Sequence, residues 1–486
     1  MLDKAKNDVV AAPLFVDLDG SLIATDSLWE SVLRLAKFRP LAMLLLPFWL
    51  LKGKAFFKKR IADHLVPDAT LLPYQQCVLD LIHQRQTMNG NVILATAADS
   101  RIAQAVANHL GCFSSVIASD GETNLSGSKK LAAIRSLADD DFDYVGDTWV
   151  DIPIWRAAKR AIVVDGNDPL LNKLQAEMPV TQLGKKREVS VGVILRAMRC
   201  HQWIKNILLF VPMFLAHQIG EVSIWINNTI AFFSFSLVAS SVYVLNDILD
   251  VESDRSHPQK KQRPFAAGLI PLSTGLRLSA LLLIAGLTAS FALVSATFAW
   301  LTIMYLVVTL GYSFYFKRQP VIDLLLLAWF YTHRVVLGGE AVDVEVSQWL
   351  YGFSIFFFMS LAMLKRFTDL LELEKFGMTV AHGRSYESAD LPLFRSMGPA
   401  TGFISVFVLA MYISIETDPN LYAQSKVLWL ICPILLYWIM RLWFLANRGQ
   451  LDCDPIVFAL RDTVSHGVAV VVGLIIVIAA VGTPWL

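Results

Sequence analysis

Residues Asn246–Gly268, NDILDVESDRSHPQKKQRPFAAG, crowd acids and bases between two long apolar runs. Asn246, Asp250 and Asp254 recur every four residues, and Asp247 lies one position further round. On a helix this spacing sets the carboxylates on one face. Arg255, His257, Lys260, Lys261 and Arg263 follow at once, and Pro258 and Pro264 end any helix there. Acids with no basic partner in reach are costly beside a bilayer, so the motif is expected to hold a cation. Carboxylates together with substrate phosphates are the usual ligands of Mg²⁺. The plainer alternative is a cytoplasmic loop of solvated ion pairs.

The chain around this motif has 486 residues, 55% of them hydrophobic, and the apolar residues are unevenly placed. Residues 1–190 read as a soluble α/β chain, whereas from about Asn206 apolar runs of spanning length follow one another. A net charge of +1 argues against a general nucleic-acid role. The five cysteines have neither pairing nor metal-ligand spacing. The first ten residues lack the pattern of a signal peptide, so the soluble part is expected in the cytoplasm.

Within that soluble part, the apolar run Leu14–Leu18 leads into Asp17-Leu18-Asp19-Gly20-Ser21. Two acids at alternate positions where a buried strand ends lie at the carboxyl edge of a sheet, where open α/β sheets bind ligands. A second run, Val92–Thr96, ends in a hydroxyl; a third, Phe142–Val145, ends in Gly146-Asp147 with Asp151 four residues on. Ser126-Gly-Ser-Lys-Lys130 lies between them. In this order the four pieces resemble a haloacid-dehalogenase (HAD) superfamily phosphohydrolase over residues 12–170. The resemblance implies an α/β Rossmann-like domain at 10–180 with a small helical cap at about 26–85. It makes Asp17 the nucleophile and Asp19 the acid and base. Thr96 and Lys130 would stabilise the phosphoryl oxygens, and one Mg²⁺ would lie among Asp17, Asp19, Asp147 and Asp151. Lys130 is preferred to Lys129 for its position three residues after Gly127. A HAD fold kept only as scaffold is the alternative.

In the expected cap, Leu41–Leu51 (LAMLLLPFWLL) is too short to span a bilayer. Lys52, Lys54, Lys58, Lys59 and Arg60 follow, so the segment either lies in a membrane surface or is a buried cap helix. Residues 181–190 (TQLGKKREVS) read as the linker to a membrane domain at 191–486. That domain is expected to be all-α and polytopic. Nine spans fit, at about 206–219, 224–245, 274–296, 297–316, 321–339, 347–366, 398–416, 424–446 and 465–484. Lys and Arg cluster in alternate loops, which puts the N-terminal domain and the acidic motif in the cytoplasm and the C-terminus outside. Further polar groups gather near the same edge: Lys205, Tyr312, Lys317, Asp323, Lys365 and Arg366. Arg334 falls within a span, where an ionisable residue is a functional candidate.

QWIKN at 202–206 and the long acidic motif resemble the UbiA-type prenyltransferase superfamily over residues 195–486. YSxxxK from Tyr312 to Lys317 and LKRFTDL at 364–370 point to its decaprenyl-phosphate phosphoribosyltransferase branch. The second acidic cluster usual in aromatic prenyltransferases is replaced by a stretch led by bases. The resemblance implies an enzyme of a bacterial inner membrane that moves 5-phosphoribose from phosphoribosyl diphosphate to a polyprenyl phosphate. One or two Mg²⁺ would sit on Asp247, Asp250 and Asp254. Lys205, Asn246, Arg255, Lys260, Arg263, Tyr312, Lys317, Asp323, Arg334, Lys365 and Arg366 would meet the substrates. The HAD domain would then remove the 5-phosphate to leave polyprenylphosphoryl ribose. Self-association is compatible with this reading. An aromatic prenyltransferase with an unrelated HAD substrate, and a non-catalytic membrane scaffold, remain as alternatives.

Overall fold

The computed structural model describes residues 12–166, 168–184, 189–375, 386–415, 421–451 and 454–481. The chain forms two compact units. One joins the chain up to Arg199 with Tyr243–Ala280; the other joins Cys200–Val242 with the chain from Leu281 onward. The acidic motif therefore folds with the N-terminal region and not with the bulk of the helical part.

In the first unit six parallel strands run in the order β3-β2-β1-β4-β5-β6. They are β1 Leu14–Val16, β2 Val92–Asp99, β3 Ser115–Ser119, β4 Asp143–Gly146, β5 Arg160–Val164 and β6 Val180–Leu183. Successive side chains of β1 serve opposite faces, as strand geometry requires. Leu14 and Val16 join Val78, Ile82, Leu94 and Val145 in one core, while Phe15 joins Ile93, Tyr144 and Trp155 in the other. Burial on both faces is why β1 reads as an unbroken apolar run. Val16 lies opposite Leu94 on one side and Val145 on the other, so the winding reverses between β1 and β4. The crevice beyond the carboxyl ends of those strands is the switch point at which open sheets bind ligands.

Two expected boundaries move. Thr181–Leu183 pair with β5 as an edge strand and are not linker; solvent reaches Thr181 and Gln182, which is why the run looks polar. Residues 185–188 of the expected linker lie outside the described residues. The helix Gln76–Thr87 buries Val78 and Ile82 in the sheet core, so it is the crossover into β2 and the cap ends before it. The segment expected as a cap holds the helices Ser27–Phe38, Pro40–Leu51 and Lys54–His64. Ser27–Phe38 starts at Asp26, whose carboxylate accepts from the amides of Leu28 at 2.8 Å and Trp29 at 3.3 Å.

Eight helices among the described residues are long and apolar enough to cross a membrane: Val222–Leu249, Leu272–Val294, Ala296–Phe314, Ile322–Ala341, Gln348–Lys375, Ser388–Ile415, Ser425–Asn447 and Thr463–Val481. The expected first span, 206–219, is not a ninth. Its chain winds as a 3-10 helix over Cys200–Phe210 and then as the single turn Val211–Leu215 around Pro212, whose missing amide interrupts the helical ladder. Close packing in the second unit has a visible cause at Gly398, where an added Cβ would come within 2.0 Å of the Trp443 ring.

Candidate active sites

The switch-point crevice gathers residues from four segments. Asp17 follows β1, Asp147 follows β4, and Asp151 lies on the short turn Trp149–Asp151. Ligand oxygens of these three carboxylates all lie within 4.8 Å of one another. Lys130, buried on the helix Ser128–Ala138, brings its Nζ to 3.0 Å from Asp17 and 3.5 Å from Asp151. Lys129 is exposed. Tyr144 ties the group together: its hydroxyl donates to Asp151 at 2.9 Å and accepts from Lys130 at 3.0 Å. Gly20 has φ +75°, and a Cβ there would fall 2.1 Å from an Asp147 oxygen. Only a residue without a side chain lets the loop pass this closely. Three convergent carboxylates present hard oxygen ligands, a donor set that fits Mg²⁺.

Electrostatics follow from this crowding. Burial, with Asp151 adding repulsion and Lys130 opposing both, pushes Asp17 up to about 6. Burial and the adjacent Asp26 push Asp19 up to about 7. Burial and the charges of Asp17 and Asp151 hold Asp147 well above the ordinary carboxylate range. Burial alone would lower Lys130, but Asp17 and Asp151 outweigh it and raise the ammonium.

Asp19 stands apart from the converging three. Its carboxylate accepts from the Ser27 amide at 2.7 Å, at the start of the first cap helix. It lines a cavity of about 60 Å³ with Asp26, Ser27, Lys58 and Asp99. Thr96 is fully buried in β2, and its hydroxyl accepts from the Ala98 amide at 3.0 Å. Two residues here escaped the sequence reading. Tyr144 looked like core, and Lys58 looked like one of a surface cluster. Lys58 instead donates to the Ala97 carbonyl at 2.6 Å and to Asn124 at 3.2 Å.

The acidic motif occupies the end of the helix Val222–Leu249 and the short helix Val251–Ser256. The Asp250 amide donates to Asn246 and the Asp254 amide to Asp250, at 2.9 and 2.8 Å, so the four-residue register runs through the junction. The expectation that these acids lack basic partners is corrected. Asp247 is paired with Arg199 and, at 3.0 Å, with Arg263. Asp254 meets Arg263 at 2.7 Å, and Asp250 meets Lys37 of the first cap helix at 2.8 Å. Burial nevertheless raises Asp254 against the pull of Arg263. Arg255 is turned to the cap as well: its fork grips Glu30 at 2.7 and 3.2 Å, and its Nε donates to the Ala266 carbonyl at 3.2 Å. Lys260 is exposed on a 3-10 turn.

The remaining candidates belong to the second unit. Asp323, fully buried, accepts two bonds from the Arg366 fork at 2.7 and 2.9 Å and one from Tyr312 at 2.7 Å. Lys365 pairs with Asp369 at 2.8 Å, and Lys205 with Asp454 at 2.7 Å. Lys317 is half-buried on the turn Phe316–Arg318. Arg334 is buried among the rings of Phe235, Tyr305 and Tyr331. It donates to Asn206 at 2.9 Å, to Tyr305 at 3.2 Å and to the Phe330 carbonyl.

The UbiA prenyltransferase family matches residues 207–461. The protein y4nM of Sinorhizobium fredii is 33% identical over 470 residues, 96% of this chain and 91% of its own length. The decaprenyl-phosphate phosphoribosyltransferase of Mycolicibacterium smegmatis is 35% identical over 280 residues, 56% of this chain and 88% of its own. A solved structure of a UbiA homolog from Archaeoglobus fulgidus bound to GPP and Mg²⁺ aligns with a TM-score of 0.45 at 16% identity, over 59% of this chain and 97% of that one.

Proposed function

This chain belongs to the UbiA prenyltransferase family, and from that premise we propose that it is a membrane enzyme with two successive activities. The helical part transfers 5-phosphoribose from phosphoribosyl diphosphate to a polyprenyl phosphate. The N-terminal domain, read as a HAD-type phosphatase, then removes the 5-phosphate to leave polyprenylphosphoryl ribose. Mg²⁺ held by Asp17, Asp147 and Asp151 would supply charge neutralisation for the phosphate oxygens in the N-terminal site; at the acidic motif Asp247, Asp250 and Asp254 would hold it by exchanging their ion pairs with Arg199, Lys37 and Arg263.

In the second step Asp17 attacks phosphorus and the bond to the sugar's 5-oxygen breaks. Asp19 gives that oxygen its proton, then takes one from the water that cleaves the aspartyl phosphate. Burial raises both Asp17 and Asp19, and Asp19 the further, which leaves Asp17 the readier to ionise as nucleophile and Asp19 the better placed to carry a proton. Lys130, fixed by Asp17, Asp151 and Tyr144, is placed to balance the phosphoryl charge. In the first step, Lys205, Lys317 and Lys365 would meet the 5-phosphate and the lipid phosphate. Arg334 and Arg366, each held in buried bonds to protein groups, are read as shaping the helical framework around the substrates.

The observation that carries the pairing is that the acidic motif and the carboxylate cluster belong to one compact unit, fastened by Arg255 on Glu30 and Lys37 on Asp250. Purified protein given polyprenyl phosphate and phosphoribosyl diphosphate should release inorganic phosphate and a ribosylated lipid. Asp17→Asn should stop at the 5-phosphorylated lipid. Accumulation of that intermediate by the unaltered protein, to the same level as by Asp17→Asn, would falsify the two-step reading.

A further inference from the structure

The cap carries a feature that neither activity uses. The helix Pro40–Leu51 is apolar throughout, holds no acid, and buries none of its residues. Leu41, Leu44, Phe48 and Leu51 recur at helical spacing and are 81, 70, 65 and 86% exposed. A soluble domain rarely leaves so contiguous an apolar stripe in water. Trp49 attaches the other side of the helix by stacking on His64 at 5.4 Å. Exposed Arg39, Lys52 and Lys54 stand at the two ends of the helix.

What covers the stripe follows from where the cap is fastened. Lys37, three residues before Pro40, is paired at 2.8 Å with Asp250, the residue directly after the helix Val222–Leu249. Arg34 is paired at 2.7 Å with Glu252 beside it. Three residues of chain reach at most ~11 Å, so with the paired Lys37 and Asp250 side chains between them the apolar helix begins a short way from the point at which the chain leaves a membrane-crossing helix. With six residues in 3-10 winding at about 2.0 Å each and six in α-helix at about 1.5 Å each it measures about 21 Å, too short for a hydrocarbon layer of about 30 Å. A short apolar helix with basic ends lies in the plane of an anionic surface.

We propose that Pro40–Leu51 is a membrane-surface anchor. Its leucine and phenylalanine stripe enters the headgroup–acyl boundary while Arg39, Lys52 and Lys54 contact anionic lipid headgroups. The anchor clamps the cap, and with it Ser27 and the Asp19 it holds, against the bilayer independently of what either site converts.

The test uses the full chain with its five cysteines replaced, in nanodiscs containing anionic phospholipid. Single nitroxide labels are placed at Leu44, Phe48 and Leu51, and at exposed Lys159 as the aqueous control. Collision with oxygen relative to a water-soluble nickel chelate should rise at least severalfold at the three stripe positions over Lys159. The difference should shrink when neutral lipid replaces the anionic lipid. Accessibility at the stripe equal to that at Lys159 overturns the proposal. So does protection from both reagents with spin–spin broadening between labels, which would make a second copy the occupant.

Discussion

Glu30 and Arg255 offer the sharpest test of how the cap and the acidic motif are joined. Glu30 is buried to within 1% and the Arg255 side chain to within 7%. The carboxylate accepts two bonds from the guanidinium and a third, at 2.8 Å, from Thr25. Arg255→Met keeps the apolar stem but leaves a buried carboxylate with Thr25 as its remaining donor among these. Stranding one member of a buried pair costs about 3–5 kcal/mol. For a unit of this size that corresponds to a loss of about 6–20 °C in the unfolding midpoint. Glu30→Gln strands the guanidinium and should cost about 3 kcal/mol. The double variant removes both charges together, so its loss should fall short of the summed single losses by about 2–3 kcal/mol. The assay is thermal unfolding in nanodiscs, with hydrogen exchange followed in Ser27–Phe38 to localise the effect. Losses that simply add, or a cost for Arg255→Met below about 1 kcal/mol, refute the account of this contact.

Three further outcomes follow from the carboxylate site. Gly20→Ala forces a side chain onto Asp147 at a left-handed backbone position; Mg²⁺ affinity of the N-terminal site, read by calorimetry, should fall about 10–100-fold while circular dichroism stays unchanged. Lys130→Met should lower phosphate release about 10²–10³-fold and leave formation of the 5-phosphorylated lipid intact; loss of both would point to misfolding instead. The third concerns pH. Asp17 and Asp19 rise from an ordinary 3.8 to about 6 and about 7, so the metal-free folded state keeps protons that the unfolded chain has lost. Their contribution favours folding in acid and is lost as pH climbs from about 4 to about 7. Since Mg²⁺ on Asp17 displaces its proton, the metal's stabilising shift in a melting assay should be larger at pH 8 than at pH 5.5, and a shift equal at both would count against the site.

Why some of this could be read from residues alone is a matter of range. Asp17 announced itself because β1 is buried on both faces, which makes it an apolar run with an abrupt acidic end; Asp147 follows Tyr144-Val145-Gly146 in a strand that also buries Asp143. Lys130 was legible by its spacing from Gly127. Their convergence needed the strand order, since the residues lie on neighbouring strands distant in sequence. Tyr144 was hidden because a buried strand tyrosine has the same pattern whether its hydroxyl meets core or carboxylates. The acidic motif was legible as chemistry but not as geometry: the partners of Asp250 and Arg255 lie more than two hundred residues upstream. Hydropathy counted 206–219 as a span because it weighs composition, while Pro212 and the 3-10 winding act on the backbone. Arg334 stood out by its charge within a span, while the Asn206, Tyr305 and aromatic faces that enclose it were not legible from sequence.

The grip of Arg255 on Glu30 also sets a timetable for biosynthesis. The two residues are separated by 225 positions. At about 5–20 residues per second a ribosome needs roughly 10–45 s to make the arginine after the glutamate. In that interval the sheet can close and the helix Ser27–Phe38 can form, yet Glu30, Arg34 and Lys37 lack Arg255, Glu252 and Asp250, their ion-pair partners in the finished protein. Those partners emerge only behind the long apolar stretch 222–249, whose delivery to the bilayer comes first. A chain cut before residue 243 therefore lacks Asp250, Glu252 and Arg255, and with them the three ion pairs that join this part of the N-terminal region to the acidic motif.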